Sequence, residues 1–447
     1  MNLKLVVASM SVLGLVSCPV FAAATTTNTM HKHHHKQHHV AHEYKEYKDV
    51  LPEPVCTISQ TALIMSSMDQ DIGRAMPNPC NPGWFNRIQL SGGVNVDLGK
   101  FGNRNTNYMG ENYQRFSLND AYLNLSANIS DWAKAFVSLS YNTATINAPN
   151  IPDAITQYAE YSAAYSNNVT SGGNSTVQIE QAYATFGNFD VSPLFLQIGK
   201  SFQDFSRYEI HPITRSLTQD LSETLATALK VGFIANGFNG SLYAFDDPMG
   251  KIGKSSTTTN YGVALGFEQP CDVLGWDIGA AYLYNLIGVN DTAYTVNQFN
   301  IINDRGQGYN TRISGTALYA DLNSGPFVIG ARYTTALQRF SQLDLPKNGT
   351  ATSTSGAKPW AAGVQAGYGF DAWGKSQNIY LGYQASRESA GLLLPKDRYL
   401  LGYGVELFGK GTNVGLEWDH DMAFSRGNGG NGNSSNLVTV RTSVKFG

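Results

Sequence analysis

The sequence predicts an all-β protein, a transmembrane antiparallel β-barrel of 16 strands with a short N-terminal periplasmic extension. Three observations predict this class: a secretory signal at the N-terminus, period-two alternation of apolar and polar residues from Trp84 onward, and short connections that alternate with long ones. Only 15% of the 447 residues are charged, and the mean hydropathy of -0.23 is too low for a helical membrane protein. The net charge of -3 gives no reason to expect a nucleic-acid partner.

Residues 1–24 are predicted to be a cleaved signal peptide. Lys4 precedes a short apolar run, and Phe21 is followed by three alanines that suit signal peptidase. The run is too short for a membrane-spanning helix, which needs about 20 apolar residues. An alternative stays open, because residues 15–18 (LVSC) resemble a lipoprotein cleavage box that would leave Cys18 lipidated.

Residues 25–83 lack sustained alternation and are predicted to form a His-rich periplasmic extension, partly disordered. At high density, neutral imidazoles bind Zn²⁺, Cu²⁺ or Ni²⁺. The histidine tract therefore predicts either a metal-collecting arm at the periplasmic mouth or a solvated spacer with incidental metal affinity, and no other cofactor is required. Its histidines are His31, His33, His34, His35, His38, His39 and His42.

Three cysteines remain after the predicted cleavage, in a compartment that permits disulfides. Cys56 and Cys80 form the simplest pair because both lie in the extension. Cys271, however, lies in a short connection on the same side of the membrane. The sequence therefore leaves the pairing open.

Residues 84–447 are predicted to form the outer-membrane barrel. In the first run Leu90 and Val94 share one parity while Gln89 and Asn95 take the other, as expected for a strand with one face in lipid and one in water. The number of such runs is even, as is typical of bacterial barrels. They lie near 88–98, 121–129, 133–141, 177–186, 194–200, 228–235, 238–245, 261–267, 276–286, 313–322, 327–333, 360–370, 379–385, 399–407, 414–424 and 438–446.

The connections support this count, because bacterial barrels alternate short periplasmic turns with long external loops. Both chain ends are then periplasmic. The short connections are 130–131, 187–193, 236–237, 269–275, 323–326, 371–377 and 408–412. The long ones are 99–115, 142–176, 201–227, 246–260, 287–311, 336–358, 386–397 and 425–436.

The last strand ends in a near-terminal aromatic residue. Val444 and Phe446 belong to its lipid-facing row, whereas Arg441 and Lys445 face inward. Such an ending predicts recognition by the barrel-assembly machinery. Gly447 departs from the usual pattern, in which the aromatic residue is the last one.

Charged residues within the predicted strands fall on the lumen parity. This sorting is expected for a membrane barrel, because Arg or Lys on the lipid face at the bilayer midplane costs about 2–4 kcal/mol. A soluble β-sandwich, the alternative fold, would give no such sorting. The lumen-facing charges are Lys134, Asp277, Arg332, Glu406, Glu417, Arg441 and Lys445.

The long connection that follows residue 200 contains less glycine than the other predicted external loops. We expect it to fold into the lumen and narrow a channel that 16 strands would otherwise leave wide. The alternative is an ordinary surface loop. The predicted constriction residues are Arg207, Glu209, His211, Arg215, Asp220 and Glu223.

No hydrolytic motif is found: the sequence has no G-x-S-x-G, H-E-x-x-H or P-loop, and His211 and His420 are far apart. We therefore expect no enzymatic activity.

Several short stretches resemble the LbtU family of siderophore porins, of the legiobactin receptor type. They are 196–200 (LQIGK), 211–214 (HPIT) and 216–219 (SLTQ), together with 120–122 (DAY) and 181–183 (QAY). The resemblance covers the chain from about residue 84 to the end. It implies a sixteen-stranded barrel that takes up ferric siderophore, and it supplies no ligand-contact residues. The 59 residues of the extension are too few for the plug of a 22-stranded receptor.

Three functions are compatible with the sequence: a siderophore porin, a general or anion-type solute porin, and a surface adhesin or structural barrel. The long loops rich in Asn, Gly, Ser and Thr favour the adhesin. The expected location is the bacterial outer membrane, with lipid and a small-molecule solute as partners. A homotrimer is expected by analogy with porins of this strand number.

Overall fold

The computed structural model describes residues 65, 88–104, 111–112, 116–141, 177–208, 212–254, 259–269, 274–350, 352–409 and 411–447. Sixteen long strands pair antiparallel with their sequence neighbours, and the last pairs with the first, so that the sheet closes. A two-residue strand, Glu111–Asn112, also pairs with the end of the first strand. The predicted sixteen-stranded β-barrel is confirmed.

Each long strand overlaps one of the predicted runs. The prediction for 276–286 extends too far, because the Asn285 side chain accepts a hydrogen bond from the Ile287 amide and begins a 3-10 turn at Leu286–Gly288. The strands are β1 (Ile88–Arg104), β2 (Ser117–Ser130), β3 (Ala133–Tyr141), β4 (Val177–Gly187), β5 (Leu194–Phe202), β6 (Leu225–Ala235), β7 (Phe238–Asp246), β8 (Thr259–Gln269), β9 (Gly275–Leu283), β10 (Gly315–Ser324), β11 (Phe327–Ala336), β12 (Trp360–Ala372), β13 (Lys375–Arg387), β14 (Asp397–Glu406), β15 (Thr412–Met422) and β16 (Ser434–Phe446).

Two short helices lie in the long connections. Helix α1 (Leu217–Asp220) lies between β5 and β6, and helix α2 (Asn290–Ile302) lies between β9 and β10. Two further 3-10 turns are Ala390–Leu392 and Arg426–Asn428. None of the helices within the described residues is long and apolar enough to cross a membrane.

The alternation in the sequence becomes an outer and an inner face of the barrel. In β1, Leu90 and Val94 are exposed on the outer face, whereas Gln89, Ser91 and Asp97 are buried on the inner face. Strand β3 shows the same alternation at every position. An apolar outer row beside a polar inner row is the arrangement expected for a strand between lipid and an enclosed interior.

The short turns at one end of the barrel hold the register of the hairpins. Asn236 and Gly237 both have positive φ, as do Trp373 and Gly374. Two consecutive residues in that region match a two-residue turn of type I′, whose twist suits antiparallel strands. These turns fall within the predicted short connections 236–237 and 371–377.

Three of the long connections pack against one another at the other end. Phe205, Leu217, Val289, Phe340 and Leu345 come from three different connections and belong to one buried apolar cluster. Burying an apolar side chain of this size contributes about 1.5–3 kcal/mol. The cluster therefore fixes the position of the β5–β6 connection that carries most of the candidate site.

Candidate functional site

The connection between β5 and β6, residues 203–224, leaves the barrel wall beside β6 and β7. Asp204 accepts hydrogen bonds from Lys230 Nζ at 2.9 Å and from Ser241 Oγ at 2.5 Å. Further along, the Tyr208 carbonyl oxygen accepts from Arg332 Nη2 at 3.2 Å. Because Arg332 lies on β11, the chain has by then moved away from its own hairpin. We call residues 203–224 the inner loop.

The part of the inner loop that lies farthest from β5, at Ile213 and Thr214, binds β15. The two carboxylate oxygens of Glu417 accept from the Ile213 and Thr214 amides at 2.6 and 2.7 Å. Thr214 Oγ1 also donates to Asp419 Oδ2 at 2.6 Å. On β16, Arg441 Nη1 donates to the Ile213 carbonyl oxygen at 3.2 Å. These strands lie on the far side of the closed sheet from β5, so the inner loop crosses the interior.

The next segment of the inner loop, at Arg215 and Leu217, binds β13 and β14. Arg398 Nη1 donates to the Arg215 carbonyl oxygen at 2.9 Å, while its Nε and Nη2 hold Asp421 at 2.6 and 2.9 Å. Gln384 Oε1 accepts from the Leu217 amide at 3.0 Å. Four adjacent strands, β13 to β16, thus hold one side of the inner loop by side-chain contacts.

One guanidinium group on the inner loop binds three carboxylates. Arg215 contacts Asp220 through Nε, Glu223 through Nη1 at 2.7 Å and Asp291 through Nη2 at 2.7 Å. Asp291 belongs to α2, so this cluster joins the β5–β6 connection to the β9–β10 connection. Gln219 Nε2 gives Glu223 a further hydrogen bond at 2.7 Å. We call Arg215, Asp220, Glu223 and Asp291 the arginine cluster.

Burial shifts the acidity of the arginine cluster. Desolvation raises the pKa of Asp291 to about 8, and Arg215 only partly offsets that shift. Desolvation also raises the pKa of Glu223, against the opposing effect of Arg215. One cation does not balance three carboxylates in a largely buried site, so the cluster favours taking up a proton.

The predicted constriction residues separate into three groups. Arg215, Asp220 and Glu223 lie together in the arginine cluster. Arg207 instead lies near β9, with its Nη2 atom 3.9 Å from Asp277 Oδ2 and its guanidinium 5.5 Å from the Tyr319 ring centre. The remaining two, Glu209 and His211, lie outside the described residues.

Most predicted lumen charges have partners on the inner face. Arg332 Nη2 donates to Asp321 Oδ2 at 2.9 Å. Arg441 Nε donates to Asp97 Oδ1 at 2.7 Å across the β1–β16 seam that closes the barrel. Glu417 is fully buried under the inner loop, and it also accepts from Tyr380 OH at 2.6 Å.

The other predicted lumen charges lie near the periplasmic ends of their strands. Lys445 alternates with the exposed Val444 and Phe446, and so lies on the inner parity of β16. Lys134 on β3 is buried, and its Nζ donates to the Met65 carbonyl oxygen at 3.3 Å. Met65 is the described residue of the predicted extension, and it is also buried.

A cavity of about 350 Å³ lies at the periplasmic ends of β11–β15. Its walls include Glu406 together with the amides Asn378 and Asn413. Gly367 and Gly404 leave room where side chains would otherwise project. Glu406 pairs with Asn413 in the register that also pairs Gly402 with Glu417, so the cavity and the inner-loop contacts share one face of the sheet.

Sequence reasoning missed several residues that hold the inner loop. Asp291 was not singled out, because nothing in the sequence marks its approach to Arg215. Asp419 and Asp421 were also missed, although a signal was available: they follow Glu417 at two-residue spacing, which puts three carboxylates on one face of a strand.

The predicted metal and disulfide sites lie outside the described residues, as does Cys18. The histidine tract 31–42, Cys56, Cys80 and Cys271 all fall there. Within the described part of the chain, no group of three or more His, Cys, Asp or Glu residues could hold a metal ion.

Known structures share this fold. An anion-selective porin from Comamonas acidovorans aligns over 80% of this chain and 99% of its own, with 12% identity and a TM-score of 0.51. A Salmonella typhi OmpF solved with daunomycin aligns over 80% and 97%, with 15% identity and a TM-score of 0.52. The chain has a porin fold. Together with the apolar outer face, that fold locates the protein in the bacterial outer membrane.

Sequence relatives carry no assigned activity in their names. A UPF0422 protein of Coxiella burnetii is 29% identical over 292 residues, which is 61% of this chain and 60% of the relative. UPF0422 protein lpp3030 of Legionella pneumophila is 25% identical over 370 residues, which is 79% of this chain and 62% of the relative. The chain thus spans about three-fifths of the length of these relatives. No family model matches it.

Proposed function

We propose that the protein is an outer-membrane porin for uptake of ferric siderophore, and that the inner loop forms its constriction. The observation that carries this proposal is the path of the inner loop, from its own hairpin across the interior to Glu417 and Arg441. A loop held across a sixteen-stranded barrel reduces the cross-section available to a solute. Passage is then decided by the charges on the loop and on the facing wall.

Acidic and basic side chains both lie along the inner loop. The arginine cluster holds three carboxylates with one cation, whereas Arg398 and Arg441 reach the inner loop from the barrel wall. Arg398 and Arg441 bind the inner loop directly, so acidic and basic groups lie side by side along it and create a local field that a passing solute would meet. Such a field discriminates among solutes by charge and by size.

The siderophore assignment rests on the family resemblance. Two of the resembling stretches, 211–214 and 216–219, belong to the inner loop, and 216–219 includes the start of α1. The resemblance therefore concerns a part of the chain that a permeating solute would meet. Below the constriction, the cavity beside Glu406 offers room for a solute on its way to the periplasm.

A general or anion-type solute porin is the second candidate. Arg207, Arg332, Arg398 and Arg441 all project from the inner loop or the inner wall. The first structural neighbour named above is described as anion-selective, and the arginines supply the chemistry for the same preference here. Each of them has a carboxylate partner, however. The passage therefore carries less net positive charge than the number of arginines suggests, and the expected preference for anions is weaker.

A liposome-swelling assay separates the two candidates. Proteoliposomes are exposed to isotonic raffinose or to a ferric hydroxamate siderophore of comparable mass, and swelling rates are compared. We expect the siderophore complex to enter at least several-fold faster than raffinose. Equal rates for both solutes would exclude a siderophore porin and support a general porin, and faster entry of small anions than of either would support the anion-type pore.

Proposals on partners follow from the outer face. The exposed apolar row that ends at Phe446 supports contact with outer-membrane lipid and recognition by the barrel-assembly machinery. A homotrimer remains a proposal by analogy, as does a divalent metal on the histidine tract. Neither is needed for the constriction.

A further inference from the structure

A row of aromatic side chains crosses the outer face of β11–β15 toward the external strand ends. Tyr333, Tyr383, Tyr399 and Trp418 are all exposed there. The ring centre of Tyr333 lies 6.1 Å from that of Trp360, and the ring centres of Tyr383 and Tyr399 lie 5.1 Å apart. Aromatic side chains of membrane proteins collect where the hydrocarbon meets the polar headgroups. The row therefore marks the level of the lipid headgroups in the external leaflet.

Two cations lie at the external edge of this aromatic row. Arg387 is the last residue of β13, and Lys396 directly precedes β14. Arg387 has the outer parity of Tyr383, and its guanidinium carbon lies 5.5 Å from the ring centre of Trp360. The side chains of Arg387 and Lys396 are 37% and 42% exposed. A cation on the outer face costs little near the membrane surface, so both side chains stay charged there. We call Arg387 and Lys396 the outer basic pair.

The outer basic pair shares a single carboxylate. Asp397 Oδ1 lies 3.1 Å from Arg387 Nη1, and Asp397 Oδ2 lies 3.2 Å from Lys396 Nζ. Tyr383 OH also donates to Asp397 Oδ1 at 2.9 Å, and the Asp397 side chain is only 9% exposed beneath these partners. Within the described part of the chain, neither cation forms an ion pair with a second carboxylate. The group thus presents one uncompensated positive charge to the membrane surface.

The Arg387 guanidinium keeps one edge available for a ligand. The three hydrogen bonds that it donates to the described residues all use Nη1, which contacts the Ser386 and Lys396 carbonyl oxygens at 2.7 and 2.8 Å as well as Asp397. Its Nε and Nη2 atoms lie on one edge of the planar group, and such an edge matches two oxygens of a phosphate. Lys396 Nζ, which carries three N–H groups, lies on the other side of Asp397. The outer basic pair therefore has the donors that a phosphate requires.

Apolar side chains continue the outer face below the outer basic pair. Leu381 on β13 and Leu401 on β14 are register partners, and they are 61% and 49% exposed. Leu381 precedes Arg387 by six residues, which is about 20 Å along a strand. A lipid contacts both regions, because its phosphate lies at the headgroup level and its acyl chains lie against the leucines. Free phosphate would use only the cations.

We propose that the outer basic pair binds the phosphate group of an anionic lipid in the external leaflet. Arg387 holds two phosphate oxygens through Nε and Nη2, Lys396 adds a third contact, and Asp397 positions both cations. Basic groups at a membrane surface bind phosphorylated headgroups in this way. The inference concerns the outer face of the barrel, and it goes beyond the passage of solute proposed above.

Native mass spectrometry of the folded protein in detergent micelles tests the proposal. The added probes are lipid A, which carries two phosphates, and phosphatidylcholine, which has no net charge. We expect retention of one lipid A molecule in preference to phosphatidylcholine, and an affinity for lipid A about tenfold lower in Arg387→Gln/Lys396→Gln. The control Lys251→Gln/Lys254→Gln removes two exposed positive charges from the external connection between β7 and β8, and it should bind lipid A as the unchanged protein does.

A second variant keeps the test decisive if the loss of both cations prevents folding. Arg387→Gln/Lys396→Gln/Asp397→Asn leaves no unpaired carboxylate behind, and it should show the same loss of lipid A. Heat-modifiable migration on gels establishes that each variant has folded. Arg387→Lys keeps the charge but loses the planar fork, so its affinity should fall between those of the unchanged protein and the double variant.

Three results would overturn the proposal. They are equal retention of lipid A and phosphatidylcholine, unchanged affinity for lipid A in the folded variants of the outer basic pair, and complete displacement of lipid A by millimolar inorganic phosphate, which would identify a site for the free ion. Lipid retention does not depend on which solute crosses the barrel. Failure of the siderophore assignment in the swelling assay would therefore leave this result unaffected, and the reverse also holds.

Discussion

At the scale of single residues, the arginine cluster joins the inner loop to α2. Arg215 is the cation shared by Asp220, Glu223 and Asp291, and its side chain is only 17% exposed. Removing one partner from a buried ion pair leaves an uncompensated charge and typically costs about 3–5 kcal/mol. The position of the inner loop relative to α2 thus depends strongly on this one guanidinium.

Arg215→Leu should open the passage and change its selectivity. The variant leaves three carboxylates facing one another, so the inner loop should separate from α2. We expect a larger unit conductance and a shift of the reversal potential toward cation preference in planar bilayers under a KCl gradient. Arg339→Leu is the control, because Arg339 pairs with Glu388 in an exposed region of the external connections. Identical conductance in both variants would contradict the assigned role.

The raised pKa of Asp291 makes the cluster sensitive to pH. Its pKa rises from an ordinary value of 3.8 to about 8 in the folded protein, so the docked state binds more protons than the undocked state between those values. Docking is therefore favoured at the acidic end and weakens as the pH rises toward 8. We expect the frequency of current fluctuations to increase over this range. In Asp291→Asn, which fixes a neutral side chain, that increase should disappear, and its persistence would show that another group titrates.

At the scale of elements, the inner loop is held by a strand distant in sequence. Glu417 on β15 binds the Ile213 and Thr214 amides with both carboxylate oxygens, at a separation of about 200 residues along the chain. A hydrogen bond to a charged group contributes about 1.5–3 kcal/mol. Two such bonds at the far end of the inner loop keep it extended across the barrel.

Glu417→Ala should release this end of the inner loop. Because both bonds are lost, we expect hydrogen exchange at the Ile213 and Thr214 amides to become at least 100-fold faster. The exchange is measured by mass spectrometry on peptides covering 212–221. Glu406→Ala is the matched control, because Glu406 is a carboxylate of the same wall that lines the periplasmic cavity. Unchanged exchange in Glu417→Ala would mean that Asp419 and Arg441 suffice to hold the loop.

The strands were predictable from the sequence because lipid and lumen impose opposite chemistry on alternate residues. Where no such contrast exists, prediction fails: α2 is rich in Asn and Thr, which have modest helix propensity, so the sequence predicts only a long connection over 287–311. Alternation assigned Glu417 to the inner face but could not identify what binds it. Partners such as Arg215 and Asp291, 76 residues apart, meet only because two connections fold over the same barrel end.

At the scale of the whole molecule, the interior is divided unevenly. The apolar cluster of the long connections fills the external end on one side, and the inner loop crosses the middle. At the periplasmic end, the strands β11–β15 border a cavity of about 350 Å³. If the proposed function is correct, the cavity beside β11–β15 lies on the solute's route to the periplasm.

The central claim is that the inner loop limits passage through this barrel. The most direct test replaces residues 206–222 with a short Gly-Ser linker and compares the single-channel conductance of the two folded proteins in planar bilayers. The account predicts a conductance several-fold higher in the variant, with loss of discrimination between ferric siderophore and raffinose. An unchanged conductance in a correctly folded variant would contradict it.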